Sequence, residues 1–556
     1  MNPRPSEKTG PEIEVVRLIW LAIFVSVFSF LYYQRQGDVL LYGDAVAHIN
    51  IARRVFDSKT PSLLQLGTVW LPLSHLLILP WVISNKMWQS GIGGSIPSMA
   101  AFVLGTLGIF KLVRSTLGNE EGSPGRTLSW ISAILYAANP NLIYMQSTAM
   151  GESLYLALFI WSLFFFAEFA RGNAKALTRC GYCVAAACLT RYDGWFLAVV
   201  LIVLALATKF RSLPERPSQK QKNRPSKNEI TAGSIARFVL IASAAPILWL
   251  AYNAAVYRNP LEFANGPYSA HAIEQKTHTV NPAKGNLIAA GSYFLKAAEL
   301  NVANSTWEGR LWLMLAILGC IAAWLRRKRV VLLLMLPVVF YALSVAYGSV
   351  PIFVPTWWPF SLYNVRYGLQ LLPAFAVLAP LGISFLIEFA NRIPSIARAL
   401  NQWSSSVAVL LVLLLAASSY AVIWRANPIC YQEADLNMRG LVALDTRIGD
   451  WIKLLPPTTT YLVFLGQHSG LFERAGIPLA STINEGNHRV WKQPSDSDGL
   501  WERALADPAK YADFAIASEG DPVWTSARDH HLKALVEIHS SGQPPAIIFE
   551  TRAGLR

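Results

Sequence analysis

The chain reads as an α-helical polytopic membrane protein closed by a small soluble α/β domain, and three observations carry that reading. Apolar residues make up 53% of its 556 positions and charged residues only 15%, too few polar side chains to clothe a water-soluble globule of this size. Apolar runs close to the roughly 20 residues needed to span a hydrocarbon core recur from Val16 to Trp424. From Tyr431 onward the apolar runs shorten to strand length.

The first run, Val16 to Tyr33, follows Arg4, Lys8 and Arg17 and lacks a small-residue cleavage site. It therefore reads as a retained helix with a cytoplasmic N-terminus. Further runs near 97–113, 127–145, 153–170, 177–190, 194–208, 234–256, 309–325, 330–348, 366–388 and 405–424 predict about eleven transmembrane helices. Every even-numbered crossing then ends at a basic loop: Lys111/Arg114/Arg126, Arg171/Lys175/Arg179, Lys209 to Lys227, Arg326 to Arg329, and Arg392/Arg398. This is the positive-inside pattern of a cytoplasmic (inner) membrane protein, and it absorbs the net charge of +14 into loops facing anionic lipid. No nucleic-acid partner is expected. Thr68 to Ile83 would break the parity if it crossed; Pro72, Ser74, His75 and Pro80 interrupt it, which predicts an interfacial or re-entrant helix.

An odd number of crossings places the segment after Arg425 outside. The predicted division is a membrane domain over 1–425 and an extracytoplasmic α/β domain over 426–556, with a helix through Leu441 to Leu455 and strands at 461–465, 513–517 and 546–550. The domain holds Glu485, His488, His530 and His531 but no catalytic spacing, so it is expected to support acceptor handling or stability. A chain ending near Arg425 is expected to retain donor binding. Cys180-Gly-Tyr-Cys183 has CxxC spacing but lies in an apolar run, where packing is the simpler role. No Walker A or Rossmann fingerprint occurs.

Chemistry enters with Leu41-Tyr-Gly-Asp-Ala-Val-Ala-His48, which sets Asp44 just beyond the first apolar run. Tyr42-Gly-Asp44 followed by Ile51-Ala-Arg-Arg-Val55, Trp70-Leu-Pro-Leu73, Met150-Gly-Glu-Ser153 and Arg366-Tyr-Gly-Leu-Gln-Leu-Leu-Pro373 occur in the order found in the GT-C superfamily of integral-membrane glycosyltransferases. The chain resembles in particular the branch of lipid A aminoarabinose transferases and protein O-mannosyltransferases. The resemblance implies a sugar taken from a polyprenyl-phosphate donor, in one inverting step, by a hexosyl- or pentosyltransferase at the outer face of the membrane. The acceptor would be a lipid, protein or glycan. One departure stands out: Ala45 occupies the position where the family often has a second acid.

Transfer of a sugar from a phosphate ester needs a base for the acceptor hydroxyl and cations for the leaving phosphate. Asp44 is the candidate base; its other reading is an N-cap for a helix beginning near Val46. Arg366 and Arg191 lie at the outer ends of spans and are the candidate phosphate ligands, because a guanidinium binds phosphate bidentately. Against this, boundary arginines also snorkel, and Arg191 could pair with neighbouring Asp193. Glu152 and Asp193 could bind acceptor or a divalent metal, with His48 and His75 as nitrogen ligands and His271 and His278 as further candidates. The competing class is a multi-span transporter or lipid flippase. That class concentrates polar residues at the midplane and often repeats its halves, whereas here charge gathers at one edge and no repeat is visible.

Overall fold

A computed structural model describes residues 10–118, 124–211, 232–277, 280–393, 404–487 and 499–552. The basic loop over 212–231, with His278 and His488, lies outside them. A helix stands at each of the expected positions: α1 Gly10–Gln36, α4 Ile92–Leu117, α5 Pro124–Ala137 with α6 Pro140–Gln146, α7 Glu152–Ala170, α8 Ala174–Cys188, α9 Asp193–Arg211, α10 Ala232–Tyr257, α12 Thr306–Leu325, α13 Leu336–Tyr347, α14 Leu372–Ala390 and α15 Ser404–Ala426. Between them lie α2 Gly43–Arg54, α3 Leu73–Ile78 and α11 Leu287–Val302.

Eight stretches among the described residues are long and apolar enough to cross a membrane. In the other three expected spans the helix itself (α5, α8) or its apolar part (Asp193–Ala207 of α9) is shorter. The fifth and sixth helices divide one run because Asn139 accepts a hydrogen bond from Leu142 N at 3.0 Å and Pro140 takes the first helical position, the usual start signal of a new helix. At six residues α3 is too short to cross, in line with the interfacial reading of Thr68 to Ile83.

The helices give the body two chemically different faces. At one, Glu14 near the start of α1 pairs with Arg114 at the end of α4 and Arg126 in α5, and Arg326 after α12 pairs with Glu388 near the end of α14 at 2.5 Å. At the other face α1 ends and α7 and α9 begin, and there the acids Asp44, Glu152 and Asp193 gather. Small residues let the deepest helices approach: Gly319 of α12 sits on the backbone of α14, as expected where apolar helices gain most from close van der Waals packing.

After α15, Asn427 at φ +66° and Pro428 turn the chain into α16, Ile429–Ile452. It continues to a sheet of order β2-β1-β3-β5-β4, with β1 Tyr461–Val463, β2 Thr482–Ile483, β3 Phe514–Ser518, β4 Lys533–Ile538 and β5 Ala546–Glu550. The first three strands are parallel, and β5 runs antiparallel to β3 and β4. The two-residue period of a strand divides its core. Phe514 and Ile516 of β3 join the cluster that includes Leu444, Ile448 and Ile452 of α16, while Ala515 and Ala517 face Val523 and Ala527 of α17, Pro522–Asp529. Three strands were expected, and so was a helix, but over Leu441 to Leu455; the observed helix begins earlier, at Ile429. The two missed are the two-residue β2 and the edge strand β4, whose Lys-Ala-Leu-Val-Glu-Ile is largely exposed and so lacks a buried apolar pattern.

Candidate active site

Three of the candidate side chains are presented by the starts of helices. Asp44 lies in the first turn of α2, and Glu152 and Asp193 are the first residues of α7 and α9. Helix N-termini carry free N–H groups and partial positive charge, so carboxylates are favoured there. The helix bearing Asp44 starts at Gly43 with Tyr42 at the cap position and no side-chain cap bond. The N-cap reading of Asp44 is therefore replaced: its carboxylate is turned toward another element.

That element is the 3₁₀ turn Val365–Leu371 that opens α14. Arg366 Nη2 donates to Asp44 Oδ2 at 2.6 Å, its Nη1 donates to Glu433 Oε1 at 2.7 Å, and its Nε lies 3.5 Å from Glu152 Oε1. Tyr42 and Tyr367 flank the guanidinium at 5.2 and 5.1 Å. Only 8% of Arg366 is exposed, so it is a buried hub for three carboxylates and not a snorkelling boundary residue.

Arg191 forms the second half. Its Nη1 donates to Glu152 Oε1 at 3.1 Å, its Nε to Asp193 Oδ1 at 3.2 Å, and its Nη2 to the Tyr341 hydroxyl at 2.9 Å. Tyr341 in turn donates to Asp193 Oδ2 at 2.9 Å. Glu152 and the Tyr367 ring lie between the two arginines, with Arg191 5.0 Å from the ring centroid. The internal Arg191–Asp193 pair weighed from sequence is present, within a larger chain of charges running from Asp44 through Arg366, Glu152 and Arg191 to Asp193.

The histidines form a separate pair. His48, one helical turn beyond Asp44, has its Nδ1 2.8 Å from His75 Nε2. Burial pulls His48 below its ordinary value and His75 well below it, and the proximity of the two adds to the shift in His75. A neutral pair in which one ring donates to the other ties α2 to α3. His271 bonds elsewhere, to Ser349 Oγ and Gln275. Among the described residues no group of three or more His, Cys, Asp or Glu side chains is gathered to hold a metal ion. Glu152 and Asp193 share Arg191, and the two histidines share each other.

Sequence reasoning missed Glu433. It lies in the first half of α16, is 1% exposed, and accepts from the backbone N of Asn364 at 3.0 Å and of Arg366 at 3.1 Å besides the guanidinium. The segment beyond Arg425, expected only to support acceptor handling or stability, also reaches the membrane-edge charges: α16 packs back against the turn and delivers a carboxylate to Arg366. A usable signal was present, since Glu433 follows the last apolar run much as Asp44 follows the first. Around this hub several buried polar atoms have no hydrogen-bond partner, among them Arg366 Nε, Glu152 Oε2, Tyr42 Oη and both amide atoms of Gln370.

The model of the family described as dolichyl-phosphate-mannose-protein mannosyltransferase matches residues 77–217. No curated protein matches the chain. Among solved structures, ArnT from Cupriavidus metallidurans bound to undecaprenyl phosphate is similar over 99% of this chain and 99% of its own, with a TM-score of 0.51 and 14% identity. The apo oligosaccharyltransferase of Archaeoglobus fulgidus aligns over 95% of this chain and 74% of its own, with a TM-score of 0.49 and 13% identity. The matched family segment and the end-to-end likeness to ArnT give this multi-pass membrane chain the GT-C fold of integral-membrane glycosyltransferases.

Proposed function

We propose that the chain is a glycosyltransferase that moves a sugar from a polyprenyl-phosphate donor to an acceptor hydroxyl at the outer face of the cytoplasmic membrane. The observation that carries this is the Asp44–Arg366 ion pair, formed between the loop after the first span and the lead-in to α14, at an edge where Arg191 and the unpartnered polar atoms also gather. The family segment, and a fold-mate solved with undecaprenyl phosphate, agree with a lipid-linked donor.

Charge explains how such a site works. Four carboxylates (Asp44, Glu152, Asp193, Glu433) face two guanidiniums, so the cluster is already negative and a donor phosphate binds only by taking the place of a carboxylate on an arginine. Asp44 is the one to yield, because its side chain is 37% exposed whereas those of Glu152 and Glu433 are each 2% exposed. Phosphate on Arg366 thus frees Asp44 as the base. Asp44 takes the acceptor O–H proton, the acceptor oxygen bonds to the anomeric carbon, and the bond from that carbon to the phosphate oxygen breaks with its electron pair leaving on phosphate. Arg366, with Arg191 behind it, stabilises the charge that grows there. The products are the glycosylated acceptor and polyprenyl phosphate.

Glu152 and Asp193 then hold Arg191 in place, and the His48–His75 pair fixes α2 and with it Asp44. Incubation of purified protein in vesicles with radiolabelled polyprenyl-phosphate sugars and membrane acceptors tests the proposal. Covalent transfer is expected; vesicle uptake without transfer would support a transporter instead.

A further inference from the structure

The loop joining α13 to the Arg366 turn carries no charged residue from Gly348 to Val365, in a stretch that includes two tryptophans, two phenylalanines and a tyrosine. Its base is closed by paired backbone bonds between Phe353 and Tyr363 at 2.9 and 3.2 Å, and its tip, Trp358-Pro359-Phe360, projects. Trp358 is 50% exposed and Phe360 67%. An uncharged aromatic tip is costly to hold open to water.

The surface beside it is of the same kind. Tyr293 of α11 donates to the Trp358 carbonyl at 2.6 Å and its ring meets Trp357 edge-on at 5.1 Å. At the start of the same helix Ile288 is 83% exposed, and just before it Gly285 N bonds Ala346 O of α13 at 2.9 Å. Along α13, Val339, Leu343 and Tyr347 are exposed at four-residue spacing, one stripe of a helix apolar enough to face lipid. The tip, the start of α11 and this stripe form one apolar surface continuous with the lipid-facing belt, and the pair Lys284–Glu274 with Ser349 borders it with polar groups.

We propose that this surface is immersed in the bilayer, with Trp358 and Phe360 at the boundary of headgroups and acyl chains, and that it forms the wall along which a polyprenyl chain brings its phosphate to Arg366. Both supports of the loop end at the site. Asn301 of α11 donates to Val365 O at 2.9 Å, Asn364 N is held by Glu433, and Gly368 lies so close to the Ala297 backbone that no side chain fits between. Immersing the loop therefore fixes how far the Arg366 turn lies from the lipid boundary, which is where a lipid-borne phosphate is found. Immersion rests on the fold alone; the guiding role rests on the function proposed above.

The test places an environment-sensitive fluorophore on Phe360→Cys in phosphatidylcholine–phosphatidylglycerol vesicles, with the labelled parent chain as background. As a water-exposed control the same label is placed on Leu454→Cys, where the native residue is 82% exposed beyond α16. Lipids spin-labelled near the top of the acyl chain should quench the 360 probe and aqueous iodide should not, with the opposite result at 454. Iodide quenching at 360 equal to that at 454 would overturn the immersion. For guidance, the double variant Trp358→Ser, Phe360→Ser should lose roughly tenfold in kcat/KM with a long-chain polyprenyl-phosphate donor relative to a short, water-dispersed one. Equal losses with both donors would overturn the guiding role. Absence of transfer by the parent chain with either donor would sink the glycosyltransferase reading and leave the quenching result standing.

Discussion

At the scale of single residues, the proposed chemistry depends on which carboxylate leaves Arg366 and which stay. Asp44→Asn preserves size but removes the basic oxygen, so turnover should fall by about 10² or more with donor affinity held or improved, because the competitor for Arg366 is weakened. Near-normal turnover in Asp44→Asn would assign the base elsewhere. Arg366→Ala should weaken donor binding about 10- to 100-fold, the scale of a charge-assisted contact, and would also strand Glu433 without its cation. Isothermal titration with polyprenyl phosphate reads this directly; unchanged affinity would make Arg366 a structural hub. Glu433→Gln keeps an acceptor for the Asn364 and Arg366 backbone groups while removing the charge that aims the guanidinium. It should therefore lower turnover more than it lowers the melting temperature, whereas Glu433→Ala, which leaves backbone donors unpaired, should lower both.

At the scale of elements, α16 is the piece whose role the fold changes most. It carries Glu433 to the membrane-edge cluster and, three turns on, Asp445 to His468 at 3.1 Å; His468 Nε2 lies 3.2 Å from Ser518 at the end of β3. One helix thus spans the membrane body and the sheet, and a chain ending at Arg425 loses an anchor of Arg366, the proposed phosphate ligand. Such a truncation should bind donor more weakly than the full chain, and full affinity in a folded truncation would separate the two regions functionally. The short helix Leu471–Ala475 carries a second consequence. Glu473 is 2% exposed with one carboxylate oxygen unpartnered, and burial pushes its carboxyl up to about 8, nearby Asp445 reinforcing the shift and Arg474 opposing it. The folded chain holds this proton more tightly than the unfolded chain, so stability falls as pH rises from the ordinary carboxylate value near 4.5 toward 8, by at most about 1.4 kcal/mol per pH unit. Glu473→Gln should flatten that slope in thermal unfolding measured from pH 5 to pH 8; an unchanged slope would mean the carboxyl is solvated.

For the whole molecule, the basic ends of α4, α5, α12 and α14 lie opposite the acid-bearing starts of α2, α7 and α9, and the sheet is attached on the acid-bearing side through α16. This is the arrangement that positive-inside loops require if the candidate site faces outward. Reporter fusions should therefore give an exported phenotype at residue 556 and a cytoplasmic one within the loop over 212–231. A cytoplasmic C-terminus would mean that one of the three short helices α5, α8 or α9 does not cross.

The sequence by itself determined the membrane class, the place of nearly every helix and most of the charged residues that the structure gathers into one cluster, because hydropathy acts over a window of neighbouring residues and because lone charges at the ends of apolar runs, such as Asp44, Glu152, Asp193 and Arg366, are costly enough to be informative where they stand. It also placed three of the five strands, whose buried apolar runs are local signals, and it missed β4, which is an edge and lacks one. What only the tertiary structure decided is partnership. That Asp44 turns to Arg366 and not to its own helix, that Arg366 and Arg191 share Glu152 and the face of Tyr367, and that Glu433 returns from beyond the last span to Arg366 all depend on contacts between residues tens to hundreds of positions apart. An ion pair has no sequence period, so those contacts become legible only when the helices that carry them are packed.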